Sequence, residues 1–225
     1  MRRGLQWQRH FFYGKTSLKT TWKFRLALLM LVMLLVSVTR RFLMLRIGQS
    51  LVCEEEIGPS DVILVENFDP YYLVFERAAV LYKAGLAARV LVPAEASRDS
   101  EKANPVSQGI AELMARMARW QNVEILPIRI REPVSLNAAY QIRDFLTREH
   151  LRSVIVVTDG FHSKHSALVY HAVLDPAGIK VGCVPVFSER TPKNWTVTWH
   201  GIEKVTEQLL KLQYYRFYVL LVRSA

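Results

Sequence analysis

A chain of 225 residues with 51% hydrophobic and 22% charged side chains can bury one substantial core, and two cysteines are too few for a disulfide scaffold. Its formal charge of +10 would suit a nucleic-acid-binding face if it were spread over the fold. Residues 1–56 hold ten Lys and Arg against three Glu, so the basicity belongs to the amino-terminal segment and a nucleic-acid partner is excluded.

Arg2, Arg3, Arg9, Lys15, Lys19, Lys23 and Arg25 lead into an uncharged run from Leu26 to Val38. Thirteen helical residues cover roughly 20 Å against a hydrocarbon core of about 30 Å, so the run alone also suits a signal-peptide core. Trp22, Phe24 and the stretch Phe42 to Leu45 extend its apolar character, and Lys23, Arg25, Arg40 and Arg41 are placed to snorkel to headgroups. No small-x-small cleavage pattern follows Val38. The expectation is a basic leader at 1–25, a bilayer-spanning anchor from Leu26 to Leu45, a stalk at 46–59 and a folded domain at 60–225. Seven basic residues before the span and three after it predict a cytoplasmic amino terminus and an extracytoplasmic domain. A buried helix of a soluble protein is the alternative, and it has little use for so basic a leader. Cys53 and Cys183 suit either one bridge or two buried thiols.

Beyond the stalk, short aliphatic runs alternate with helical periodicity. Asp61–Val65, Ala88–Val92, Val123–Leu126, Val154–Val157 and Val181–Val186 read as nearly continuous apolar strands, as expected of a parallel sheet covered on both faces. Between them, 71–84, 105–120, 136–150 and 163–174 carry apolar residues at three and four spacing, and a last amphipathic segment runs from Gly201 to Tyr218. Gly85 and Gly178 are placed to end two of the helices. The fold class is α/β, a Rossmann-like three-layer sandwich on a mostly parallel five-stranded sheet whose strand order stays open.

In such sheets ligands bind beyond the carboxyl ends of the strands. Glu132-Pro-Val-Ser135-Leu-Asn137 and Thr158-Asp-Gly-Phe-His162 both fall there, each at the start of a helix. Glu132 and His162 are the candidates for general acid and base, with Ser135, Asn137 and Thr158 orienting a polar substrate. Ser135, Thr158 and Asp159 serve equally as helix caps. His162 and His165 share a helical face, but a metal site needs a third ligand, for which only Glu132 or Asp159 is near, and no metal is predicted. Trp195 and Trp199 suit a lid or the packing of the last helix. Tyr214, Tyr215, Phe217 and Tyr218 suit core packing or an interfacial contact with a membrane. No P-loop, Gly-x-Gly-x-x-Gly, Gly-x-Ser-x-Gly or paired-Cys motif is present, so no cofactor is named.

The order of Arg77 with Leu81-Tyr82, Glu132-x-x-Ser135-x-Asn137, Val157-Thr158-x-x-Phe161-His162 and Glu207 before Tyr214-Tyr215 resembles the YdcF/SanA/ElyC-like domain family over about residues 60–220. The resemblance implies a Rossmann-like domain, often anchored to the bacterial inner membrane and tied to cell-envelope or peptidoglycan-carrier biology. It makes Arg77, Ser135, Asn137, Thr158 and Phe161 candidate ligand-binding residues, and Glu66 and Asp159 join them by their place near the carboxyl edge of the sheet. The chain departs from the family where Gly-rich turns are usual, reading Glu66-Asn67-Phe68-Asp69-Pro70 and Pro93-Ala94-Glu95-Ala96-Ser97. Glu66, Asp69, Glu95, Glu132 and Asp159 then make an acidic edge that repels phosphate unless Arg77, Arg98 or Lys164 compensates. Three functions follow as expectations. One is an envelope factor binding a polar, lipid-linked, phosphorylated or glycosylated ligand. Another is a hydrolase or transferase using Glu132 and His162. The third is a non-catalytic interaction module.

Overall fold

The computed structural model describes residues 21–55, 58–67, 71–97, 102–120 and 123–221. The basic leader up to Lys19, together with Asp69 and Arg98, lies outside the described residues. The chain divides into two compact units, Met1–Leu43 and Met44–Ala225.

In the first unit runs most of helix α1, Trp22–Ser50, whose 29 residues have a mean hydropathy of 2.1 over the most apolar window. At 1.5 Å per residue it measures about 43 Å, and its Leu, Met and Val side chains from Leu26 to Val38 are exposed on every side. A helix that is apolar all round has no water-facing surface to offer, which is the character of a membrane span. It is the one helix among the described residues long and apolar enough to cross a bilayer.

The second unit is an α/β sandwich. Strands β1 (Ser60–Val65), β2 (Ala87–Glu95), β3 (Glu124–Ile128), β4 (Ser153–Asp159) and β5 (Lys180–Val186) form one all-parallel sheet in the order β3-β2-β1-β4-β5. Alternation along each strand divides the core in two. Ile63, Val65, Val90 and Val92 meet Phe75 and Ala78 of α2 (Tyr72–Lys83) and Ala111 and Ala115 of α3 (Pro105–Met117). On the opposite face, Val62, Leu64, Val154 and Val156 meet Leu136 and Ile142 of α4 (Val134–Arg148) and Val169 and Tyr170 of α5 (Ser163–Leu174). Burying each of these aliphatic side chains is worth about 1.5–3 kcal/mol, so the two-faced burial explains why the strands read as unbroken apolar runs. Helix α6 (Trp199–Tyr214) continues into a π turn, Tyr215–Val219, whose Tyr215 and Val219 join the second core.

Element ends differ from expectation for local reasons. Helices α3 and α4 stop at Met117 and Arg148 because Arg119 (φ 56) and His150 (φ 57) turn left-handed just beyond them. Gly85 (φ 75) and Gly178 (φ 71) do close their helical segments, in the conformation that a residue without Cβ adopts without strain. Strand β2 runs past the proline at 93 to Glu95, because β1 has ended by then and residues 93–95 pair with β3 alone. Within the expected stalk at 46–59, helix α1 continues to Ser50, Leu51 and Cys53 are buried, and Glu55 bridges Cys183 in antiparallel fashion. Trp195 is the anchor here, donating from Nε1 to the Met44 carbonyl at 2.9 Å and packing with Leu51, Phe161, Val205 and Leu212. It is therefore a packing residue, while Trp199 is exposed.

Candidate functional site

Chain order dictates where a crevice opens. From β1 the chain winds outward to β2 and β3, then returns across the sheet to β4 and continues outward to β5, so β1 and β4 are neighbours from which the connections diverge. Beyond their carboxyl ends lies a cleft of ≈ 850 Å³. Its floor comes from Glu66 after β1 and from Thr158 and Asp159 at the end of β4. The segment Glu132–Ser135 forms one wall at the start of α4, and His162 and His165 contribute from the first turn of α5. A third wall is α6, whose His200, Glu203, Lys204, Glu207, Gln208 and Lys211 recur at three and four spacing on one face.

At the bottom is a buried polar network. Glu66 is 8% exposed, and its Oε2 accepts from the Ser166 hydroxyl at 2.5 Å and lies 3.9 Å from His162 Nε2. Burial first, and then the Glu66 charge, hold the fully enclosed Tyr170 hydroxyl well above its ordinary range, so Tyr170 stays a neutral phenol. His162 Nδ1 donates to Gln208 Oε1 at 2.7 Å, which fixes the orientation of the ring. His165 is 2% exposed, stacked edge-on between His162 (4.7 Å) and Tyr215 (4.4 Å), and neither ring nitrogen has a hydrogen-bond partner. Desolvation, followed by the nearby His162 and Lys211 charges, pushes its pKa down to about 3. Nearer the surface Lys204 pairs with Asp159 at 2.8 Å and Lys211 with Glu207 at 2.6 Å.

The cleft brings together Glu132, His162, Ser135, Thr158, Asp159 and Glu66 from the expected set. The expected pairing is different, however. The carboxylate beside His162 is Glu66, whereas Glu132 is exposed at the cleft wall and makes no ion pair with the imidazole. Asn137 does not line the cleft; its Nδ2 donates to the Arg131 and Pro133 carbonyls at 3.2 Å each and fastens the loop that enters α4. Gln141 completes that fastening by a two-way pair with the Arg129 backbone at 2.9 Å. Phe161 is also structural, 2% exposed and edge-on to Phe187 at 5.5 Å, because it faces the Trp195 cluster. Arg77 lies on the exposed side of α2, opposite the buried stripe Val74, Phe75, Ala78 and Ala79. Glu95 and Lys164 are exposed and away from the cleft, so neither adds to its charge. Glu203 and Glu207 do, giving five lining carboxylates against the three cations Arg190, Lys204 and Lys211.

Gln208, Ser166, Tyr71 and Lys204 went unread in the sequence. The polar stripe of α6 was the available signal, since its spacing marks a helix with two working faces and not one apolar face against water. Among the described residues no group of three or more His, Cys, Asp or Glu is placed to hold a metal ion. Cys53 and Cys183 are free and buried, with the Cys183 thiol donating to the Cys53 carbonyl at 3.3 Å. Set against models of known families and against curated proteins, the chain matches none.

Proposed function

We propose that this chain is a single-pass membrane protein of the bacterial inner membrane whose extracytoplasmic domain binds a polar small molecule in the β1/β4 cleft. Kinship with the YdcF/SanA/ElyC-like domains and a role in cell-envelope chemistry belong to the same proposal. The observation that carries it is the network of buried Glu66, Ser166 and Gln208 with the half-buried His162, since desolvating a carboxylate beneath an open cleft costs stability that packing alone does not require. The charge asymmetry of the leader and helix α1 supports the topology.

A thermal-shift screen of polar metabolites against the full chain in detergent tests the binding reading. A ligand is expected to raise the midpoint of the wild type and to lose that effect in His162→Ala and Gln208→Leu; hits that stabilise all three proteins equally would count against the cleft. A carboxyl-terminal alkaline phosphatase fusion is expected to be active and a green fluorescent protein fusion dark, and the reverse pattern would overturn the topology.

A second reading, as a hydrolase or transferase, is favoured by one detail. With Nδ1 hydrogen-bonded to Gln208, the His162 ring is held with Nε2 3.9 Å from Glu66, so an imidazole and a carboxylate stand together at the cleft as acid–base chemistry requires. Under this reading Gln208→Leu lowers kcat more than it raises KM, because the ring stays at the cleft but loses its fixed orientation.

A further inference from the structure

Native proteins rarely leave buried polar atoms without partners, and this cleft collects several. Both nitrogens of His165, the Tyr71 hydroxyl and Asp159 Oδ1 are buried and unpartnered, and all three residues line the same crevice. Their chemistry is mixed. A neutral imidazole offers one N–H donor and one lone-pair acceptor, a phenol offers both, and a carboxylate oxygen only accepts. A ligand that satisfies the set must therefore donate as well as accept at adjacent positions.

Resting on the ligand-binding reading above, we infer that the cleft takes a neutral, hydroxyl-rich ligand of the carbohydrate class, seated against His165, Tyr71 and Asp159, in preference to a phosphate or carboxylate. Every hydroxyl of a sugar donates and accepts, so a run of them matches imidazole, phenol and carboxylate together. A fully ionised anion has no proton to give and leaves Asp159 Oδ1 and the imidazole lone pair unmet. Its charge meets further opposition. Glu66 sits desolvated on the floor, five carboxylates line the cleft against three cations, and two of those cations are already held by Asp159 and Glu207. Low basicity keeps His165 neutral, so it adds no positive charge to attract an anion. The walls agree with this choice, since Tyr71, Tyr214 and Tyr215 line the cleft and offer apolar ring surface with polar edges to the C–H faces of a pyranose.

The test uses the full chain in a polyoxyethylene detergent, which carries neither sugar nor phosphate. Glucose, N-acetylglucosamine and maltose, and separately inorganic phosphate and pyrophosphate, are titrated while the His165 ring carbon-proton resonance is followed by NMR. A saccharide is expected to shift that resonance saturably, together with that of His162 on the same cleft wall; His165→Phe, which keeps the ring volume and removes both nitrogens, is expected to weaken binding at least tenfold, read at the His162 resonance, without lowering the thermal midpoint. Tyr71→Phe is the second variant, expected to weaken binding about threefold, and it decides the matter should His165→Phe fail to fold. Saturable binding of phosphate or pyrophosphate with no saccharide binding overturns the ligand class but leaves the binding reading standing. Saccharide binding that neither variant diminishes overturns the site. Silence from every probe counts against ligand binding in this cleft, and so against both readings together.

Discussion

The two rims of the sheet use polar groups in opposite ways. At the amino-terminal rim, Asp61 Oδ2 accepts from the Arg152 and Ser153 amides at 2.6 and 2.9 Å and from the Ser153 hydroxyl at 3.0 Å. Those hydrogen bonds, the Arg152 amide first, hold the Asp61 carboxyl below its ordinary range. Beside it Arg89 grips Glu124 with two nitrogens and reaches Glu149 at 3.3 Å, which raises its own already high basicity. These charged groups are half-buried or exposed and have their partners within the chain. At the carboxyl-terminal rim the polar groups are drier and less satisfied: Glu66 and His165 are buried, and His165, Tyr71 and Asp159 keep atoms without partners. Trp120, near the amino rim, also has an unpartnered N–H, but there it packs beside Tyr82 at 6.2 Å. Groups that align strand ends can stay wet and saturated. On the proposed reading, the groups at the carboxyl rim are kept dry and underused for a ligand.

The largest consequence of that contrast is expected at Glu66. Glu66→Ala removes the acceptor for Ser166, strips Tyr170 of its neighbour and leaves a cavity, and should cost about 3 kcal/mol in urea denaturation. A loss below about 1 kcal/mol would mean that the carboxyl rim is no drier in effect than the amino rim. Per pH unit, an intermediate effect attaches to acidification. His165 is held near 3 in the folded protein against 6.5 when unfolded, so below pH 6.5 the unfolded chain gains a proton that the folded chain refuses. Its contribution to stability is whole above pH 6.5 and declines as pH falls towards 3, by up to about 1.4 kcal/mol per unit. His165→Phe should flatten that part of the stability profile, measured by denaturation at stepped pH; an unchanged slope would show that the ring is not desolvated. The smallest effect belongs to the amino rim. Arg89→Met should cost less than about 1 kcal/mol and leave ligand affinity at the other rim unchanged, and a loss of binding there would dissolve the distinction.

Much of the architecture was legible because its determinants are local. Unbroken β-branched runs such as Ile63-Leu64-Val65 and Ile155-Val156-Val157, short and set between helical segments, read as strands buried on both faces, and Gly85 and Gly178 close helical segments by virtue of lacking a Cβ. The uncharged run from Leu26 to Val38 with its apolar flanks reads as a span, and helix Trp22–Ser50 is long and apolar enough to cross a bilayer. Position in the chain also placed Glu132 and His162 beside one crevice, since both follow strands of a parallel sheet. Partnership was another matter. Glu66 meets His162 only because β1 pairs with β4, a choice made by crossover topology across ninety intervening residues and more. Gln208 reaches His162 only because α6 folds back over that rim, and Asn137 and Phe161, polar and aromatic in the expected places, were turned to fastening a loop and packing against Phe187. Periodicity reports which face of an element is buried. Which side chains then share a dielectric, a proton or a ligand depends on distances between elements, and those are fixed by long-range packing.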